Sequence, residues 1–183
     1  MRGAMQQIDA VAKINKQIQL ELMASSIYGH LQAHADNEEL KELWKKLAIH
    51  EKYHAATLER LRDTLSRETL TIETFAINPG KIDELLNELD NIIHEIKGRI
   101  SSSRAFEIAL FLEFSELNAL FFSSNDIGKD NTSVYIHSMG EGTKRHLTLL
   151  YEGVKKYLEP NNQTPHLQKF YEKGIISRNE LEL

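Results

Sequence analysis

The stretch Leu47-Ala48-Ile49-His50-Glu51-Lys52-Tyr53-His54-Ala55-Ala56-Thr57-Leu58 sets a carboxylate and an imidazole on the apolar stripe of a helix. The stripe continues on either side through Leu40, Leu43/Trp44, Leu61 and Leu65. Glu51 and His54 lie on it one turn apart. A carboxylate buried in such a core costs on the order of several kcal/mol unless it is paired or metal-bound. The stripe therefore asks for both a helical fold and a partner for its polar residues.

Helical periodicity extends outward from this stretch in both directions. A helix is predicted over about 6–35 and another over about 38–65, joined by a turn at Asp36-Asn37-Glu38-Glu39. Asp36 with Glu39 has the form of a capping box. So short a junction makes the pair an antiparallel hairpin. The β-branched run Leu70–Phe75 is the single strand candidate, and Asn78-Pro79-Gly80 signals a turn. Apolar residues at 82, 85/86, 89, 92/93 and 96 define a short amphipathic helix. After Gly98 and Ser101-Ser102-Ser103, a third long helix runs to about 123, and a fourth covers about 133–158, ending before Pro160. One further short helix is expected near His166 to Lys173. The predicted fold is all-α: an antiparallel four-helix bundle of two helical hairpins, with a long crossover that contains a short extra helix. The bundle is expected to occupy 1–160, and 161–183 to form a C-terminal tail.

Composition narrows the function. The chain has 183 residues, and Lys plus Arg at 22 against Asp plus Glu at 27 gives a net charge of −5. No basic block is present, so neither nucleic acid nor an anionic membrane is an expected partner. The most apolar stretch, Ala109–Phe122, is about half a membrane span and contains Glu113 and Glu116. The opening Met1–Gln7 lacks the apolar run of a signal peptide, and a cytoplasmic location is expected. There are 0 cysteines, which removes disulfides, thiolate metal sites and a cysteine nucleophile.

An internal repeat at an offset of 92 residues relates the two hairpins. It carries Leu20-Glu21 onto Leu112-Glu113, His54 onto His146, Leu58 onto Leu150 and Leu47 onto Met139. Apolar positions can coincide by chance, but a Glu and a His at the same separation of 33 residues are harder to match. Glu21, Glu113 and His146 each sit among apolar residues at core spacing, as Glu51 and His54 do. Three carboxylates and two imidazoles in one core imply a cation. The remaining histidines, His30, His34, His94, His137 and His166, fit no such pattern and are expected at the surface.

These residues resemble the ferritin-like superfamily: Glu21 on the first helix, Glu51-Lys52-Tyr53-His54 on the second, Glu113 on the third and His146 on the fourth. The histidine on the fourth helix, and the extra helix before the third, are most similar to stand-alone rubrerythrin-like proteins without a rubredoxin domain. The resemblance implies a carboxylate-bridged pair of iron or manganese ions held by Glu21, Glu51, His54, Glu113 and His146. One position departs from the family pattern, because Thr143 stands where a second Glu-x-x-His would place its carboxylate. Three carboxylates leave two divalent ions one positive charge in excess, so the second ion should bind more weakly or take another anion. Glu116, one turn after Glu113, is the expected supplement, and Glu141 is a second candidate.

The implied activity is that of a di-iron oxidoreductase, reducing peroxide or oxygen or oxidising ferrous iron. Tyr28 is the candidate catalytic residue, as hydrogen-bond donor or electron relay. With no cysteine in the chain, electrons must come from an external donor. An iron-storage ferritin and a non-catalytic ferritin-like scaffold are the alternatives on the same fold. His50-Glu51-Lys52-Tyr53-His54 also reads as the H-E-x-x-H of a zinc metallopeptidase, which leaves Glu21, Glu113 and the repeat unexplained. Phe111, Phe114, Phe121 and Phe122 widen the apolar surface of the third long helix, so a homodimer is expected.

Overall fold

In the computed structural model the backbone is described for residues 2–67, 79–121 and 131–178, and side chains for 10–64, 80–115 and 139–178. Among the described residues six helices follow one another: α1 (Arg2–His34), α2 (Glu38–Arg67), α3 (Pro79–Glu95), α4 (Ser102–Phe121), α5 (Asn131–Tyr157) and α6 (Pro160–Glu172). The fold is all-α, with no strand among the described residues. The strand candidate Leu70–Phe75 lies outside them, as do residues 122–130 between α4 and α5.

Each long helix buries the stripe that its sequence periodicity marks. In α2, Leu40, Trp44, Leu47, Leu58 and Leu61 are buried, and Glu51 and His54 are buried with them. In α4, Phe106, Ala109 and Leu110 are buried around Glu113. In α5, Met139, Leu150 and Val154 are buried around Thr143 and His146. The aromatic rings of Tyr28, Trp44 and Phe106 pack in series, Tyr28 stacked on Trp44 with centroids 6.1 Å apart and Phe106 tilted against Trp44 at 5.0 Å.

Contacts at the helix ends fix the directions. Lys16 of α1 pairs with Asp83 near the start of α3 at 2.5 Å. Asp36, just past α1, pairs with Arg99, just past α3. So α3 lies along α1 in the same sense and returns the chain to the α1–α2 turn before α4 begins. Tyr28 meets Glu113, and Asp36 meets Ser102, so α1 and α4 are antiparallel. Glu39 at the start of α2 meets Lys156 and Tyr157 at the end of α5, at 2.9 and 3.3 Å, and these helices are antiparallel as well.

Three local expectations are corrected. The cap of α2 is Asn37, whose Oδ1 accepts the Leu40 backbone N–H at 2.8 Å. Asp36 is drawn away to Arg99 and Ser102 instead. The last helix starts at Pro160, where a missing N–H costs nothing, and tolerates Pro165 within its first turns. It ends in a Schellman turn: Gly174 at φ 67, with Gly174 N–H donating to Tyr171 O and Ile175 N–H to Phe170 O. His166 is buried, not at the surface, with Nε2 3.0 Å from Ser103 Oγ. The apolar face of α6 covers part of α4, for Phe170 packs edge-on against both Phe114 and Tyr151. The side chains of Phe121, Phe122 and His137 lie outside the described residues.

Candidate metal centre

Four helices supply the carboxylates and imidazoles that converge in the core. Glu21 comes from α1, Glu51 and His54 from α2, Glu113 from α4 and His146 from α5, and all five are buried. They gather into two clusters of ligand atoms, Glu21/Glu51/His54 and Glu51/Glu113/His146. Glu51 belongs to both. Its Oε2 is 3.0 Å from His54 Nδ1, and its Oε1 is 3.1 Å from His146 Nδ1. Each imidazole also faces the carboxylate of its own repeat: His54 Nδ1 is 3.6 Å from Glu21 Oε2, and His146 Nδ1 is 3.1 Å from Glu113 Oε2. The 92-residue repeat is thus a structural pseudo-symmetry that converges on one central carboxylate.

Glu21 Oε2, both oxygens of Glu51 and His54 Nδ1 are buried without a hydrogen bond. Buried polar atoms are almost always satisfied, so four convergent exceptions within one cluster mark a place for a ligand. The chemistry of the set, carboxylate oxygen with imidazole nitrogen, fits a divalent first-row cation. Glu113 is held more firmly. Tyr28 Oη donates to its Oε1 at 2.6 Å while Oε2 faces His146.

In the metal-free form, protons balance the charge. Burial raises the Glu21 carboxyl to about 7, helped by repulsion from Glu51, even though His54 pulls it down. Burial raises Glu113 too, against the opposing charge of His146. Burial alone would raise Glu51 and lower both histidines. For Glu51 the close approach and charge of the His146 and His54 imidazoles prevail, and it falls to about 2. The facing carboxylates lift His54 to about 9 and His146 to about 10. The cluster is therefore a set of ionised and protonated groups locked together in the core.

Thr143 occupies the position that the repeat assigns to a fourth carboxylate. It is fully buried, and its Oγ1 donates to Met139 O one turn back at 3.2 Å. The side chain of Glu116, expected to supplement it, lies outside the described residues. Glu141 does not join either cluster; it pairs with Lys144 at 2.7 Å.

Two participants were missed by sequence reasoning. His50, noticed only as part of the H-E-x-x-H pattern, belongs to neither cluster. Its Nδ1 lies 3.1 Å from His146 Nε2. Gly142 lies against His54, and a Cβ at that position would overlap His54 Nε2. Its place one residue before Thr143, the repeat partner of Glu51, was the available signal.

No family model, curated protein or solved structure matches this chain. No described helix is long and apolar enough to cross a membrane.

Proposed function

We propose that this chain is a dinuclear metal protein, an oxidoreductase of the rubrerythrin type on a ferritin-like antiparallel four-helix bundle. In this reading α1, α2, α4 and α5 are the bundle and α3 is the extra helix of the crossover. The observation that carries it is the sharing of buried Glu51 by two Glu/His clusters. One carboxylate facing two equivalent donor sets is the arrangement required to hold two cations side by side. A mononuclear site would leave one of the clusters without purpose.

Glu21 and His54 would hold one ion and Glu113 and His146 the other, with Glu51 common to both donor sets. A pair of iron or manganese ions bound there would supply the electrons that reduce peroxide or oxygen. Around it the chain fixes geometry and excludes water. Tyr28 orients Glu113 through the 2.6 Å hydrogen bond and is a proton donor within the core. Burial of all five ligands keeps bulk solvent away from the reacting centre. Thr143 leaves the His146 half poorer in charge, so that half binds its ion more weakly, with Glu116 as the proposed supplement. The absence of cysteine requires a separate electron donor, and a homodimer in the cytoplasm is the proposed assembly.

The test is anaerobic mixing of ferrous-loaded protein with hydrogen peroxide. Two ferrous ions, one peroxide and two protons should give two ferric ions and two waters, faster than free ferrous iron reacts and without hydroxyl radical. A rate equal to that of free iron, or one-electron stoichiometry with radical release, contradicts the proposal.

A further inference from the structure

His50 and Gly142 are equivalent under the 92-residue repeat, and each faces the far nitrogen of the opposite half's histidine. Gly142 leaves space against His54 Nε2. His50 instead lies nearly parallel to the His146 ring, with centroids 5.1 Å apart at 16°, and its Nδ1 is 3.1 Å from His146 Nε2. The two halves are therefore alike in their ligands and unlike in what stands behind them.

The consequence follows from counting lone pairs. His146 Nδ1 faces Glu51 Oε1 and Glu113 Oε2, each at 3.1 Å, so Nδ1 is the nitrogen presented to the cluster. An imidazole that gives the Nδ1 lone pair to a cation must carry its proton on Nε2. That N–H points at His50 Nδ1, which must then accept, leaving the proton of His50 on its own Nε2. His50 is only half-buried, so its second nitrogen can be served by water. We propose that His50 is a positioning residue that fixes the tautomer and ring orientation of His146, and so sets the affinity of the ion in the Glu51/Glu113/His146 cluster alone. The inference rests on the dinuclear reading of the centre. It also gives the charge-poor half a compensating device that the other half lacks.

The test is cobalt(II) titration of the metal-free full chain, followed by visible absorption, with Glu21→Gln and Glu113→Gln proteins assigning the two ions. His50→Phe keeps a stacked ring and removes the acceptor. It should weaken the His146-side ion by roughly 10–100-fold, the usual cost of losing the partner of a ligating histidine. The His54-side ion should be unchanged. His50→Gln, whose side-chain carbonyl can accept, should recover most of the loss. In the zinc-loaded protein, the His146 Nε2-bound proton should be protected from exchange in wild type and His50→Gln, and exposed in His50→Phe. Unchanged affinities in His50→Phe, equal losses at both ions, or a Gln variant no better than Phe would each overturn the inference while leaving the dinuclear reading intact. A wild-type protein that binds no cobalt would defeat that reading, and this inference with it.

Discussion

Glu51 holds the centre together, and its two oxygens point to two different histidines at 3.0 and 3.1 Å. Glu51→Gln keeps the shape but removes the charge that both clusters share. We expect metal titration of this variant to show both ions lost or weakened together, whereas Glu21→Gln should weaken one. The metal-free variant should also be less stable by about 3–5 kcal/mol, because His54 and His146 lose their common counter-charge in a buried setting. Chemical denaturation with chelator present measures this, and a variant as stable as wild type would show that the charges are not coupled. At this scale the sequence was informative about identity but silent about sharing. The ligand types and their separations marked Glu21, Glu51, His54, Glu113 and His146, because each breaks an apolar stripe at a repeated position. That Glu51 is central and Glu21 and Glu113 are lateral depends on how α2 sits among α1, α4 and α5, which one-dimensional periodicity does not encode. His50 was passed over for the same reason, since its role exists only across the α2–α5 contact.

The helices themselves were legible because their apolar stripes are long and regular, and α2 begins and buries its stripe as its sequence indicates. Their ends were less so. Asp36 and Asn37 are both competent caps, and the choice of Asn37 is made by Arg99 and Ser102, some sixty residues away in sequence, which engage Asp36. His166 misled as a solitary polar residue in a tail, yet it docks on Ser103 of α4. The docking of α6 centres on Phe170, fully buried between Phe114 and Tyr151. Phe170→Ala should cost about 3–5 kcal/mol, the usual range for a large aromatic removed from a core. Hydrogen exchange should then show α6 losing protection before α1 and α2. Uniform loss of protection along the chain would mean that α6 is not a separable layer.

For the whole molecule, the buried cluster couples stability to pH and, on the proposed reading, to metal. Glu21, raised from its ordinary 4.5 to about 7, stabilises the metal-free fold fully below its unfolded value, and that contribution is lost as pH rises through about 7. His54 and His146, raised from 6.5 to about 9 and about 10, contribute fully below 6.5 and lose their contributions as pH rises through those values. Glu51, lowered to about 2, acts in the opposite sense, and its contribution is lost only as the solution becomes strongly acidic. Metal-free protein should therefore melt at progressively lower temperature from about pH 7 to about pH 10, by the direction of these shifts; below that, the lowered His50 and His166 act in the opposite sense. A cation takes the place of the protons, so metal affinity should climb over the same interval, and the difference in melting temperature between loaded and metal-free protein should widen. A metal-free Tm that rises across this interval would contradict the buried cluster. The central claim is that the core holds two cations on one shared carboxylate. The most direct measurement is elemental analysis of protein purified without added metal, together with titration of the stripped chain. The account predicts iron or manganese, two ions per chain at saturation, with the second bound more weakly. One zinc per chain, or no metal taken up at all, would contradict it.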